Sequence, residues 1–389
     1  MIFLKNVGYK HEVSELKLRR RRSIRSRFLE TMGRWSAIFW FVSVCGVANA
    51  APFAYISNSE DGTVSVIDLA TDSVVKTIAV GDRPLGVAVT RDGSKVYVTD
   101  LHEQSITMID GHNHTVLARK SLVMTPRAVA VNAAQSRVYV VGSDPSRKKP
   151  RSSLVVVLDA STLEPLAQIP LMGKEDAIYM AVSPDDAHVW VSVGEYEVAV
   201  IDAATNTISQ EITVQAGSLS PLVFGENTRM AYVGGRSNLV KVDTSFNPPG
   251  FHNIHMMAGG ETYGLALNAA GDQAYVSKDG LGLDIYDLTN GKRLALVKTG
   301  KHPGAVAVHP DGSRIYVISS TENTVEVVDA NTFAVVGSIP VGKSPIVFGQ
   351  FVQPTAVHGL NVMEVSKFIV LLLLGAFLLF VVFQYFRSR

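Results

Sequence analysis

Short runs crowded with Val, Ile, Leu and Met, each ending in aspartate, recur along the chain. The clearest is Thr63-Val-Ser-Val-Ile-Asp68, followed by Ser105-Ile-Thr-Met-Ile-Asp110 and Leu154-Val-Val-Val-Leu-Asp159. The run continues as Glu197-Val-Ala-Val-Ile-Asp202, Asn238-Leu-Val-Lys-Val-Asp243, Leu283-Asp-Ile-Tyr-Asp287 and Thr324-Val-Glu-Val-Val-Asp329. The aspartates lie 41 to 49 residues apart, and the longest interval carries an insertion from Ser143 to Ser153. Around each run sit three further strand signals. A Tyr-Val strand precedes it (Val96-Tyr97-Val98-Thr99, Ile315-Tyr316-Val317), a strand running into glycine follows it (Val74 to Gly81), and a short Gly/Ala/Val strand comes last (Gly86-Val-Ala-Val89, Ala305-Val-Ala-Val308). Turns such as Arg91-Asp92-Gly93 and Pro310-Asp311-Gly312 lead into the next unit.

Four short strands in each of seven units of this length predict an all-β fold, a seven-bladed β-propeller of four-stranded blades. The small Gly/Ala/Val strand suits the crowded wall of the central channel. The chain begins on a Tyr-Val strand at Ala54 and ends on an inner-type strand, Pro345 to Val352. The closing blade is therefore expected to share three N-terminal strands with one C-terminal strand, which removes open sheet edges. The irregular Phe246-Asn-Pro-Pro-Gly-Phe-His segment and the Gly225-Glu-Asn-Thr turn make the fourth and fifth units the least regular.

Two segments fall outside the repeat. Arg19 to Arg22, Arg25, Arg27 and Arg34 precede the apolar stretch Trp35 to Val47 and Ala48-Asn49-Ala50. Residues 1–50 thus read as an N-terminal extension and signal peptide cleaved after Ala50, with Met32 an alternative start. The single cysteine, Cys45, would leave with it, so no disulfide or thiolate metal site is expected in the mature chain. After the propeller at 51–354 and a linker at 355–366, the polar-free stretch Phe368 to Phe383 predicts a transmembrane helix over 367–386. A basic tail, 387–389, follows it. These segments together give an exported, inner-membrane-anchored protein with its propeller in the periplasm. Net charge is only +1, so nothing points to nucleic acid.

The motifs Tyr-Val-Thr-(Asp/Asn), Thr-Val-Ser-Val-Ile-Asp and Pro-x-x-Val-Ala-Val-x-x-Asp-Gly-Ser-(Lys/Arg)-(Val/Ile)-Tyr-Val resemble the YVTN family of β-propeller repeat proteins over roughly residues 53–353. The resemblance extends more distantly to quinoprotein amine dehydrogenase β-chain-like, nitrite reductase d1-haem-domain-like and lactone-hydrolysing propellers. It implies the fold and leaves the activity open.

The seven strand-end residues Asp68, Asp110, Asp159, Asp202, Asp243, Asp287 and Asp329 recur too regularly for catalysis and are expected to cap turns. Unlike residues converge only at the channel mouth, on loops entering the inner strands and loops after the Tyr-Val strands. The first set supplies Arg83, Arg127, Glu175, Asp176, Glu261, Tyr263, His302 and Lys343; the second supplies Asp100, His102, Tyr196, Arg236 and Lys278. These are the candidate binding residues. The insertion adds Arg147, Lys148, Lys149 and Arg151 to the same face, as a contact for an anionic partner or as a solvated loop. His112 and His114 lie on a turn, while His252 and His255 face opposite sides of a strand, so no metal site is expected. No catalytic signature such as Gly-x-Ser-x-Gly or His-Glu-x-x-His occurs. The expected function is a non-catalytic platform for a periplasmic protein partner or ligand, accessory to a redox system, with no cofactor. The competing class is an enzyme or cofactor carrier working at the channel mouth.

Overall fold

The computed structural model of the chain describes residues 52–146, 152–174, 177–214, 221–225, 229–244, 249–256 and 260–353. Their strands form seven antiparallel sheets, six of four strands and one of three, in a seven-bladed β-propeller. Blades are numbered here by the order of their strand-end aspartates. Blade 2 is typical: inner strand Pro84–Val89, then Lys95–Asp100, Ser105–Asp110 and the outer strand Thr115–Ser121, paired in that order. The inner strands of blades 3 to 7 are Thr125–Val131, Met180–Val182, Leu222–Phe224, Thr262–Leu267 and Pro303–Val308.

The sequence runs that make second and third strands are apolar on both sides because each sheet is sandwiched between two neighbours. Val96, Tyr97 and Val98 are all buried, and the core lies between blades: Tyr97 and Ile106 of blade 2 pack with Val138, Val140 and Leu154 of blade 3. Outer strands are largely exposed, as in Ser73–Ala79. The tyrosine of the Tyr-Val strand fills this interface and also ties it. Tyr55 Oη donates to the Gly111 carbonyl (3.1 Å) and Tyr97 Oη to the Ala160 carbonyl (2.5 Å), each in the next blade. Tyr316 Oη of blade 7 donates to Asp72 of blade 1 (2.8 Å), so the tie also crosses the ring closure. Inner strands meet backbone to backbone. A Cβ at Gly86 would lie 2.6 Å from Thr99 Oγ1 and closer still to the Arg127 carbonyl, so only glycine fits there.

The three-stranded sheet, Phe53–Asn58 with Thr63–Asp68 and Ser73–Ala79, is blade 1. Its inner edge is covered by residues 345–352: Ala54 bridges Val352, Asn58 bridges Pro345, and Tyr55 N donates to the Phe351 carbonyl at 2.9 Å. The ring thus closes in one blade, where a C-terminal segment that forms isolated bridges rather than a full strand covers the three N-terminal strands.

The fold class is all-β, and the C-terminal helix is struck from it. No helix among the described residues is long and apolar enough to cross a membrane. That expectation rested on the hydropathy of one run, which by itself fixes neither secondary structure nor surroundings. The segment 367–386, the linker, the tail, the proposed signal peptide and Cys45 lie outside the described residues.

Candidate binding channel

Antiparallel order gives the propeller two faces. The upper face carries loops that enter inner strands and loops that follow second strands. The lower face carries turns that follow inner and third strands. Backbone bonds within blades join the two loop types on each face, such as Leu101 N to Arg83 O above and Gly111 N to Ser94 O below.

Eleven of the thirteen candidate mouth residues are described, while Glu175 and Asp176 lie outside the described residues. In blade 2, Asp100 is buried and works as a staple. Its carboxylate accepts the Asp82 and Arg83 N–H groups (2.8 Å each) and that of Glu103 (2.7 Å). His102 Nδ1 lies 2.9 Å from Asp82, both exposed. In blade 1, Lys343 N donates to Asp61 at 2.7 Å. Arg127 sits on the inner strand of blade 3, and Tyr196 is exposed on a hairpin of blade 4.

Blades 5 to 7 draw the remaining candidates together. Arg236 pairs with Glu261 at 2.5 Å, and His302 Nδ1 lies 2.6 Å from Asp279. The Lys278 side chain is fully buried, and its ammonium donates to the Arg236 carbonyl at 2.7 Å. Burial pulls its pKa down, while the charge of Asp284 acts the other way. Burial, with Asp279 and Glu261 nearby, pushes the Tyr263 phenol up. These groups are largely committed to one another across loops. Arg147, Lys148, Lys149 and Arg151 lie outside the described residues; on either side of them, Asp144 N donates to Ser152 O at 2.9 Å.

Aromatic side chains cross the upper end of the channel. Tyr179, buried at the start of the blade 4 inner strand, reaches past blade 5 and donates to the Tyr263 carbonyl of blade 6 (3.3 Å). Phe348, from the closing strand, meets the Tyr179 ring edge-on at 5.4 Å between centroids. Next to it, Gly349 has φ +136°, and a Cβ there would stand 2.7 Å from the Val129 carbonyl and closer to that of Val87. The closing segment therefore lies across the inner strands of blades 2 and 3. Val89 N donates to the Gln350 carbonyl at 3.0 Å. The blade 2 inner strand is buried throughout, whereas several equivalent positions in blades 3 and 7 are half-buried.

Below this crossing lies a cavity of about 490 Å³, walled by inner-strand side chains such as Ala130, Ala181, Leu222, Ala266 and Ala307. It reaches the lower face, at turns bearing Arg91, Asn132, Ser183, Asn268 and His309. Of the sequence candidates among the described residues, Tyr263 alone lines it. Several polar groups at the rim are bonded to their own turns. Thr90 beside the cavity, and Asn132, Ser183 and Asn268 on its rim, each accept the N–H of the residue five positions on, at 2.8 to 3.0 Å. His309 Nδ1 lies 2.6 Å from Asp311. A second depression of about 440 Å³ lies at the outer edge of blade 1, between Thr77 and Pro340. It mixes turn and outer-strand residues and is open to solvent, so the central cavity is the better-built candidate.

The strand-end aspartates cap the turns of the lower face. Asp68, Asp110, Asp159, Asp202, Asp287 and Asp329 each accept one or more N–H groups two or three residues on. Among the described residues no group of three His, Cys, Asp or Glu could hold a metal ion. His114 instead packs on Phe53 and lies 3.0 Å from Tyr55 Oη.

No family model matches the chain. The uncharacterized protein YwhL of Bacillus subtilis (strain 168) is 24% identical over 302 residues, 75% of this chain; the chain spans 63% of that relative's length. The seven-bladed beta-propeller protein Rv1057 of Mycobacterium tuberculosis is 27% identical over 332 residues, covering 73% of this chain and 81% of that protein. A structure of hydrazine synthase from Kuenenia stuttgartiensis superposes with TM-score 0.65 at 18% identity, over 71% of this chain and 92% of that one. A functionally unknown protein from Desulfotomaculum acetoxidans DSM 771 gives 0.62 at 16%, over 76% and 99%. These likenesses carry the seven-bladed fold and no activity.

Proposed function

We propose that the protein is a non-catalytic binding module whose ligand enters the central channel from the lower face. The observation that carries this reading is the central cavity of about 490 Å³, walled by apolar inner-strand side chains, with Asn132, Ser183 and Asn268 on its rim bonded to their own turns. Its size falls within the roughly 300–1,000 Å³ of ligand pockets. Catalysis calls for polar groups aimed at a reacting atom, whereas the inner-strand side chains of this wall offer mainly shape and apolar contact, with the polar groups gathered at its two ends. We also propose YVTN family membership, on the repeat motifs, and export through the segment ending at Ala50, which would set the partner in the periplasm. Binding of a neutral apolar fluorophore such as Nile red to the full chain tests the site. The expected outcome is saturable binding that Ala130→Trp abolishes while the far-ultraviolet spectrum is kept. Binding unaffected by the tryptophan would reject the channel as the site.

A further inference from the structure

We infer that the channel takes a long-chain carboxylate, with its apolar chain inside and its head at Arg91 on the lower rim; this rests on the channel being the binding site. Net charge at the mouth does not choose the ligand. Among the described residues, the turns after the inner strands, each taken with the first residue of the next strand, carry five Asp and five Arg or Lys, which cancel. Position chooses instead, because a charge acts most strongly on what it touches. Of these ten groups, Arg91 alone lines the cavity.

The carboxylates are turned into the turns themselves. Asp92 accepts the Thr90 hydroxyl (2.7 Å) and the Ser94 N–H (2.9 Å), and Asp185 the Ser183 hydroxyl (2.5 Å). Asp186 accepts the Ala133 N–H (2.6 Å), Asp272 the Asn268 amide (2.6 Å) and Asp311 the Ser313 N–H (2.8 Å). Three cations reach outward, to turns that follow third strands: Lys95 Nζ lies 3.4 Å from the Ala160 carbonyl, Arg137 donates to the Ala203 carbonyl, and Arg314 pairs with Asp72. These bonds leave the groups charged but fix the charge away from the cavity wall. Arg91 is exposed, and no hydrogen bond or ion pair among the described residues holds its guanidinium. The other titratable side chain at the lower rim of the cavity, His309, is paired with Asp311. The channel is thus crossed by aromatic rings above, apolar along its length, and fitted with one uncommitted cation at its open end. That gradient matches an amphiphile with a single anionic head. A guanidinium fork pairs one to one with a carboxylate, whereas a phosphate dianion would keep half its charge unanswered.

Displacement of Nile red from the full chain by decanoate, decanol and decylammonium tests this near neutral pH and at low ionic strength. The three share one chain and differ in the charge of the head. Decanoate is expected to bind about fivefold more tightly than decanol and roughly tenfold more tightly than decylammonium. That preference should shrink as salt rises. Arg91→Ala should bring decanoate down to the level of decanol, Arg91→Lys should keep part of the difference, and Arg91→Glu should make decylammonium the tighter of the two ions. Equal binding of decanoate and decanol to the parent overturns the inference, as does a decanoate preference that survives in Arg91→Ala. Failure of all three to displace Nile red overturns it too. Each of those results leaves the channel standing if Ala130→Trp still blocks Nile red. Loss of saturable Nile red binding is instead a failure of the channel reading itself.

Discussion

At Asp159 a single carboxylate oxygen collects four donors: the N–H and Oγ of Ser161 (2.9 and 2.5 Å) and the N–H and Oγ1 of Thr162 (2.9 and 3.1 Å). The Ser161 hydroxyl is the largest cause holding its pKa at about 2. A carboxyl whose folded pKa lies below its unfolded value, ~3.9, stabilises the fold fully above the unfolded value. That contribution disappears as pH falls through the folded pKa. The urea midpoint of Asp159→Ala should therefore lie below that of the parent at pH 6, with the gap closing between about pH 4 and pH 2. A gap independent of pH would mean the turn does not depend on the ionised carboxylate. The regular recurrence of this aspartate was enough to read it from sequence as a turn residue. The tyrosine beside it was less legible. Alternation marks Tyr97 as strand, but its hydroxyl bond to Ala160 joins residues 63 apart and belongs to blade packing. Tyr97→Phe should cost about 1 kcal/mol by urea titration, the usual worth of one buried hydrogen bond. A loss within error would mean Ala160 finds another donor.

Strands and their order were readable because each blade repeats the same demand: two sandwiched apolar strands, a small inner strand and a polar outer one. What period could not reveal is which end of the channel is crossed. Tyr179 occupies the place of Gly86 and Ala128 in the other blades, a large ring where the pattern calls for a small residue. That break was the available signal. Its partner Phe348 comes from the far end of the chain, and the meeting of the two is set by ring closure rather than by local spacing. The candidate residues on upper-face loops stand out from the repeat by their variety of side chain. Their mutual pairing, such as Arg236 with Glu261, depends on neighbouring blades and has no sequence signature. The closing segment, residues 345–352, is the most exacting part of the chain. Gly349→Ala would place a Cβ against two carbonyls at a φ that side chains rarely adopt, at a cost of roughly 2 kcal/mol or more. The expected result is a lower melting temperature together with earlier proteolysis near residue 349. An unchanged melting curve would show that residues 348–350 can leave the channel without loss.

Seven similar blades around an axis make the molecule a ring of nearest-neighbour contacts, and blade 1 is where the ring is sewn. Phe53 and Gln353 are joined there by a backbone bond, Gln353 N to Phe53 O at 2.9 Å. The two ends of the propeller are thus adjacent, and a short linker can connect them. If stability resides in blade-to-blade packing rather than in the position of the chain break, the break can be moved. A circular permutant joins 353 to 53 through a few glycines and begins after the basic insertion, at Ser152, ending at Asp144. Blade 1 then becomes one continuous sheet. Blade 3 becomes the shared one, with the strand Ser153–Asp159 contributed by the new N-terminus and Arg137–Ser143 by the new C-terminus. Their seven-residue register is longer than the two bridges that now close blade 1, so the new seam is the better paired. The permutant is expected to be monomeric by light scattering and to match or exceed the urea midpoint of a propeller spanning 52–353. Deleting residues 346–353 from the latter should expose the edge of Phe53–Asn58 and cause association. A permutant that aggregates while the deletion stays monomeric would place the decisive contacts in the present closing strand itself, with its crossing of the channel, rather than in the ring.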